Sequence, residues 1–377
     1  MATSILIVKL SSLGDVLHTL PAAQALRRRY PDAHIAWAVE AAHSALLNDQ
    51  PWLDERIIWQ RHASGGFRKF VSQLRSQPWD LAIDFQGLFR SGLVTRLSGA
   101  RRRVGSRQAR EFAGVFYNQR VNIASADRHA VEKNLELIAP LFRSTDIADV
   151  VPGMPLERPY LFGQAPLPTQ QGREWFPLYP SAADIAEVDA WCNKHGYEPH
   201  RERLVVINPD CRRQANRWPP SRFIELARRL LKIPGLRVAL TGGPGAKLLC
   251  DQIAYMVGKQ LWRADGRLSI LGSTELLSRS HLLLTGDTGP MHLAAAVDLP
   301  VVALVGATSP VRTGPYTTDA VVLREPLECS PCLAKKCRLG HALPPCMDRI
   351  EVESVIQTIL RRLDSLPALQ PPMRKTA

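Results

Sequence analysis

The chain has 377 residues, enough for two domains at roughly 100–200 residues each. Hydrophobic content of 45% with 22% charged residues fits a packed globular protein, and no apolar run approaches the roughly 20 residues that a membrane helix needs. A formal charge of +13 favours anionic partners, but no RNP, zinc-finger or basic-zipper signature accompanies it, so nucleic acid is not expected.

The N-terminus lacks a basic stretch ahead of a long apolar run, so no signal peptide is expected and a cytosolic protein is. Ser4–Lys9 reads as a buried strand, because Ile5, Leu6, Ile7 and Val8 form a continuous apolar run. Asp15–Tyr30 reads as one helix, with Val16, Leu20, Ala23 and Leu26 near one face and Pro31 as its stop. Strands are expected at His34–Glu40, Arg56–Trp59 and Asp80–Phe85, and helices at Gly87–Leu97 and Ala130–Phe142. From about Val150 to Pro180 seven prolines interrupt the pattern and predict a semi-rigid linker.

The second half repeats the alternation. Strands are expected at Leu204–Asn208, Arg237–Thr241, His281–Thr285 and Pro300–Val305. Helices are expected at Ser221–Leu231, Lys247–Val257, Pro290–Val297 and Glu351–Leu363, with a disordered tail after about Ser365. Strand–helix alternation predicts parallel sheets with helices on both faces. The reading is an α/β protein of two Rossmann-like domains facing a central cleft. The domains are placed at 1–165 and 166–350, with 351–377 as a C-terminal helix and tail.

Several strand-to-helix corners carry chemistry-bearing residues. The first runs from Lys9 through Ser12, Gly14 and Asp15 to Pro21. An open α/β sheet places ligands at the carboxyl ends of its strands, and Gly14 permits close backbone approach. Asp15 is either a general base for a sugar hydroxyl or a helix cap for backbone donors. The second corner is Gly286-Asp287-Thr288-Gly289-Pro290-Met291-His292. Free N–H groups at Thr288 and Gly289 can hold a diphosphate, the Thr288 hydroxyl and His292 ring can add donors, and Asp287 caps the helix or takes a sugar hydroxyl.

A third corner, Asn208 to Pro219, concentrates Arg212, Arg213 and Arg217, either a phosphate clamp or a solvated basic loop. In Thr241-Gly242-Gly243-Pro244-Gly245, Gly243 can bring backbone near a base or ribose, though an ordinary turn reads equally well. The chain has no P-loop, no G-x-G-x-x-G after a strand and no D-x-D pair. A sugar-nucleotide enzyme without that acidic pair is expected to neutralise its diphosphate with helix N-termini and cations, with no cofactor for catalysis. Cys329, Cys332, Cys337 and Cys346 fall in one Pro-rich loop, and read either as ligands of a structural zinc or iron–sulfur cluster or as free thiols. In a reducing cytoplasm a disulfide is disfavoured.

Taken together, these residues resemble the ADP-heptose lipopolysaccharide heptosyltransferases, over most of the chain. The likeness rests on Ile7–Pro21 and on Asp287–His292, with support from Asp84-Phe85-Gln86-Gly87-Leu88, Phe116-Tyr117-Asn118 and His129-Ala130-Val131-Glu132. The first half is most similar to the heptosyltransferase I branch. The resemblance implies a GT-B fold and an inverting, metal-independent transfer of heptose from ADP-heptose to Kdo-lipid A or the inner core. It implies Asp15 as base, Ser12, Gly14, Arg61 and Arg110 toward the acceptor, and Arg217, Gly243, Asp287, Thr288, Gly289 and His292 toward the donor. It further implies peripheral association with the anionic inner face of the cytoplasmic membrane. Two positions depart from the pattern. Asn216 stands where relatives often carry a phosphate-binding Lys, with Arg217 or Arg213 as substitutes, and Ala246-Lys247 stands where they often carry a Glu. These departures leave open another sugar nucleotide, or a binding module on the same scaffold.

Overall fold

The computed structural model describes residues 4–154, 156, 172–317 and 319–367. Among these, the residues before Glu157 fall with Arg173–Tyr179 in one compact unit, and those from Pro180 onward in a second. The expected boundary at 165/166, most of the proline-rich linker and the tail beyond Pro367 lie outside the described residues.

The first unit is built on β1 (Ser4–Val8), β2 (His34–Glu40), β3 (Glu55–Trp59), β4 (Leu81–Asp84), β5 (Arg102–Ser106) and β6 (Gln119–Val121). All pair in parallel, in the order β3-β2-β1-β4-β5-β6. The second unit is built on β7 (Arg203–Asn208), β8 (Leu236–Leu240), β9 (Trp262–Arg263), β10 (Leu282–Gly286), β11 (Val301–Leu304) and β12 (Ala320–Leu323). Its order, β12-β11-β10-β7-β8-β9, is the same winding read from the other edge. Each sheet therefore has one switch point, between β1 and β4 in the first and between β7 and β10 in the second. There neighbouring connections leave in opposite directions and open a crevice at the strand ends.

The central strands are buried on both faces, which is why they read as apolar runs rather than alternating ones: Ile5, Leu6, Ile7 and Val8 are fully buried, as are Leu282, Leu283 and Leu284. Each such side chain contributes about 1.5–3 kcal/mol by leaving water. The helix Gly66–Leu74 covers one face of the first sheet, stacking Phe70 on Trp59 with ring centres 5.4 Å apart. In the second unit the final helix, Val352–Asp364, buries Val355, Ile359 and Leu363 in the same core as Leu226 and Leu230. It is thus part of that unit's core and not a separate appendage.

The expected single helix over Asp15–Tyr30 is two, Leu13–Leu17 and Leu20–Arg29. Pro21 lacks an N–H and its ring would collide with the Leu17 carbonyl in a continuous helix. The break is held by Thr19 Oγ1, which donates to the Asp15 carbonyl at 2.9 Å, and by Asn134 Nδ2, which donates to the His18 carbonyl at 2.9 Å. Strands β5, β6, β9 and β12 and the helix Ala182–His195 are additions to the sequence-based reading.

Candidate active site

The first unit gathers a charged cluster at the carboxyl ends of β1 to β5. Asp15 sits in the first turn of Leu13–Leu17, where its Oδ2 accepts from Ser12 N at 3.1 Å and Ser12 Oγ at 2.7 Å. Its Oδ1 lies 3.8 Å from Lys9 Nζ, and the side chain is 47% exposed. The capping contacts through Oδ2 are thus in place, and the side chain as a whole remains half-exposed. Burial pushes the Asp15 carboxyl up, but the Lys9 ammonium, the two Ser12 hydrogen bonds and His18 outweigh it and bring it to about 2.

The resemblance motifs turn out to be the scaffold of this corner. Gln86 Oε1 accepts from Leu10 N at 2.9 Å and Ser11 N at 3.3 Å, holding the chain just before Asp15. Asp84 Oδ1 accepts from Gln86 N and Gly87 N, and its Oδ2 accepts from the Tyr117 hydroxyl at 2.6 Å. Burial raises the Asp84 carboxyl above its ordinary value. Gly105 is needed for this contact, since a Cβ there would lie 2.2 Å from the Tyr117 ring. His129 starts the Ala130–Ile138 helix and packs edge-on against His18, ring centres 4.8 Å apart.

Of the expected acceptor-facing residues, Ser12 bonds Asp15 directly, and the buried Gly14 accepts from His18 N at 2.9 Å. Arg61 follows β3 and lies 3.8 Å from Glu40 Oε1. Arg110 follows β5 and ties its N–H to the Gly87 carbonyl at 2.8 Å. Sequence reasoning had Lys9 only as the start of this corner, with no role, and missed Glu40, His43 and Arg90. Arg90 pairs with Glu40 at 2.8 Å, lies 3.4 Å from Ser11 Oγ and covers the Trp59 ring at 5.4 Å. Burial lowers the His43 imidazole, against the charges of Glu40 and Asp15. The available signal was position alone: Lys9 and Glu40 each stand at the end of a buried strand, where a charge is otherwise costly.

In the second unit, Thr288 precedes the helix Gly289–Ala296 in extended backbone, and its side chain makes no cap bond to that helix. The helix N-terminus carries partial positive charge, and Thr288 Oγ1 lies 3.4 Å from Asn208 Nδ2 at the end of the neighbouring β7. Asp287 Oδ2 accepts from Thr313 Oγ1 at 3.1 Å, so this carboxylate braces the turn from outside the helix. His292 lies on the second turn and is buried, as is its neighbour Met291. Arg217 donates from Nε to the Cys211 carbonyl at 2.8 Å and remains half-exposed beside Asp210. Arg213, by contrast, donates to the Leu333 carbonyl. Gly243 has open space around its Cβ position. The conformationally required glycine is Gly242, at φ 153°, where a Cβ would lie 2.6 Å from that of Ala246.

Asn216, Lys247 and the four-cysteine loop depart from the expected site for physical reasons. Asn216 is buried and cannot face an anion: its Oδ1 accepts from Ala307 N at 2.6 Å and its Nδ2 donates to Thr308 Oγ1 at 2.7 Å. Lys247 pairs with Asp251 one helical turn on, at 2.7 Å. Cys329, Cys332, Cys337 and Cys346 line one small cavity as free thiols. Among the described residues no group of three or more side chains is arranged to hold a metal ion, so the expected zinc or iron–sulfur site is not supported. Cys346 packs in the apolar core beside Met347, and burial together with the neighbouring thiols raises its pKa.

Twin Rossmann-like sheets of identical winding, with ligand-competent corners at each switch point, place the chain among the GT-B glycosyltransferases. A sequence profile of glycosyltransferase family 9 (heptosyltransferase) matches residues 67–343. The chain is 32% identical to lipopolysaccharide heptosyltransferase 1 of Pseudomonas aeruginosa, over 88% of this chain and 87% of that protein. It is 29% identical to lipopolysaccharide heptosyltransferase 1 of Escherichia coli K12, over 86% and 94%. Its fold matches the E. coli ADP-heptose lps heptosyltransferase II with a TM-score of 0.73 at 24% identity, covering 96% of this chain and 98% of that one. It matches E. coli heptosyltransferase WaaC with ADP at 0.67 and 24% identity, covering 95% and 99%. The chain belongs to glycosyltransferase family 9, the heptosyltransferases, and is a glycosyltransferase. Among the described residues no helix is long and apolar enough to cross a membrane.

Proposed function

We propose that this enzyme transfers a heptose from ADP-heptose to an anionic lipid-linked sugar, Kdo-lipid A or the inner core of lipopolysaccharide. The observation that carries this reading is the state of Asp15: an ionised, half-exposed carboxylate at a sheet switch point, held by Ser12 and Lys9. Support comes from relatives named lipopolysaccharide heptosyltransferase and from a fold neighbour solved with ADP-2-deoxy-2-fluoro heptose.

In this scheme the acceptor hydroxyl oxygen attacks the anomeric carbon of the heptose. Its bond to that carbon forms as the carbon–oxygen bond to the diphosphate breaks, and ADP departs with the electron pair. The hydroxyl proton passes to Asp15 Oδ1. A carboxylate with a pKa near 2 is a weak base, so proton transfer comes late, once the attacking oxygen has become acidic through bond formation. One displacement inverts the anomeric centre. Charge on the departing diphosphate is met by the Gly289–Ala296 helix N-terminus, the Thr288 hydroxyl and Arg217, without a metal in the scheme. Arg61, Arg90 and Arg110 supply cations for a carboxylated and phosphorylated acceptor, and the protein associates peripherally with the anionic membrane that carries it.

The test is ADP release from ADP-heptose with and without Kdo-lipid A. Acceptor-dependent release is expected, and its absence sinks the reading. A second reading, transfer from another sugar nucleotide on the same scaffold, is favoured by the buried Asn216 and the Lys247–Asp251 pair. A panel of ADP- and UDP-sugars separates the two.

A further inference from the structure

The stretch from Arg101 to Arg120 holds six arginines and one carboxylate, Glu111. Arg101, Arg102, Arg107, Arg110 and Arg120 are exposed. Glu111 Oε2 accepts from Phe89 N at 3.3 Å, and among the described residues no carboxylate pairs with Arg101, Arg107, Arg110 or Arg120. In the middle of this basic field stand two apolar side chains in water, Phe112 at 86% exposure and Val115 at 68%, with Phe89 at 49% beside them.

These side chains are held out by a seated turn. Ala113 is buried, and Phe116 packs edge-on to Phe89 with ring centres 5.3 Å apart. Gly92 makes the fit possible, since a Cβ there would lie 2.7 Å from the Phe116 ring and 3.1 Å from the Ala113 carbonyl. Glu111 and Phe112 both adopt left-handed backbone, at φ 54° and 59°, which is uncommon for a bulky aromatic. The turn thus presents Phe112 outward in a backbone conformation that bulky aromatics rarely adopt.

We propose that Phe112 and Val115, together with the exposed Arg107, Arg110 and Arg120 of the same stretch, dock this enzyme on an anionic lipid bilayer. The apolar tip enters the boundary between headgroups and acyl chains, and the guanidinium groups meet lipid phosphates. Two isolated apolar side chains separated by cations are too small for a stable protein–protein interface, while a charged bilayer rewards that mixture. The surface is continuous with the candidate site: Arg110 N bonds the Gly87 carbonyl, Gly87 N bonds Asp84, and the Phe85 carbonyl accepts from Lys9 beside Asp15. Docking here brings the first unit's charged corner to the membrane surface, which rests on the reading that the acceptor is lipid-linked.

The experiment is co-sedimentation of the full chain with vesicles of phosphatidylglycerol in phosphatidylcholine, and with phosphatidylcholine alone. Binding to the anionic vesicles is expected, weakening as salt is raised. F112S/V115S is expected to lose about tenfold in vesicle affinity, and R107Q/R120Q to lose the preference for anionic lipid. F112S/V115S should keep its melting temperature and its turnover of a water-soluble, deacylated acceptor. Variants that bind as the wild type does, wild-type indifference to lipid charge, or a single-stranded oligonucleotide that displaces the protein from vesicles through the same residues would each overturn the docking surface. Failure of the wild type to turn over the soluble acceptor counts against the glycosyl-transfer reading instead, so the two failures are distinguishable.

Discussion

Lys9 Nζ stands 3.8 Å from Asp15 Oδ1 and donates to the Phe85 carbonyl at 2.9 Å, so one buried ammonium links the end of β1 to the chain leaving β4 and sets the charge of the carboxylate in front of it. A lysine buried without such partners would lose its proton or unfold the strand end. Here its charge is the largest of the influences that lower the Asp15 carboxyl, ahead of the Ser12 hydrogen bonds and His18.

Asp15→Asn keeps the shape and removes the base. Transfer is expected to fall by about 10²- to 10⁴-fold while ADP binding stays within a factor of about two, because the donor corner belongs to the other unit. Steady-state ADP release and calorimetric titration with ADP check this. Near-normal turnover by the variant rules out Asp15 as base.

Lys9→Met removes the group that opposes burial at Asp15. The carboxyl is expected to rise from about 2 toward or beyond its ordinary value of 3.8. Catalysis needs the ionised form, so activity is lost as pH falls through this pKa. The acid limb of the kcat/KM profile should therefore move to higher pH in the variant. In the wild type the depressed carboxylate also contributes stability above pH 3.8 that is lost as pH falls toward about 2, whereas the variant, with this carboxyl back near 3.8, lacks that contribution. Coincident pH profiles for the two proteins would contradict the assignment.

Asn216→Ala leaves Ala307 N and Thr308 Oγ1 buried without partners. A loss of about 1–3 kcal/mol per unsatisfied group is expected, read by urea unfolding, together with a raised KM for the donor as the loop after β11 loosens. Asn216→Lys should lower stability as well and bring no gain in donor affinity, because the side chain points into the core. A tighter-binding, stable Asn216→Lys protein refutes the buried-latch interpretation.

Gly105→Ala forces a methyl to 2.2 Å from a rigid tyrosine ring and severs the Tyr117–Asp84 hydrogen bond. Overpacking of this kind costs about 1–3 kcal/mol, and loss of the tyrosine hydroxyl from the buried Asp84 Oδ2 adds to it. Tyr117→Phe isolates the second part and is expected to cost less than Gly105→Ala. Thermal melts of both variants measure the difference.

Much of this was legible in the chain. The apolar runs Ile5–Val8 and Leu282–Leu284 read as strands covered on both faces, as they are, and the polar corners that follow them mark where ligands meet such sheets. Strand β5 was hidden because it begins Arg102-Arg103 and ends in Gly105-Ser106, a polar sequence that pairs through its backbone. The break before Leu20 was written in Pro21, but the apolar period across it suggested continuity. The departure at Asn216 was visible as a residue type, while its direction was not.

Sequence by itself determined the α/β alternation, the repeated halves and the polar corners that follow the buried strands, since these follow from local periodicity and from which residue types can end a buried strand. Tertiary structure alone decided that Lys9 charges Asp15, that Arg90 rather than Arg61 makes the close pair with Glu40, that Asn216 turns inward, and that Cys346 belongs to the core. Those outcomes depend on distances in space, and electrostatic and packing energies are set by distance and burial, neither of which a linear pattern contains.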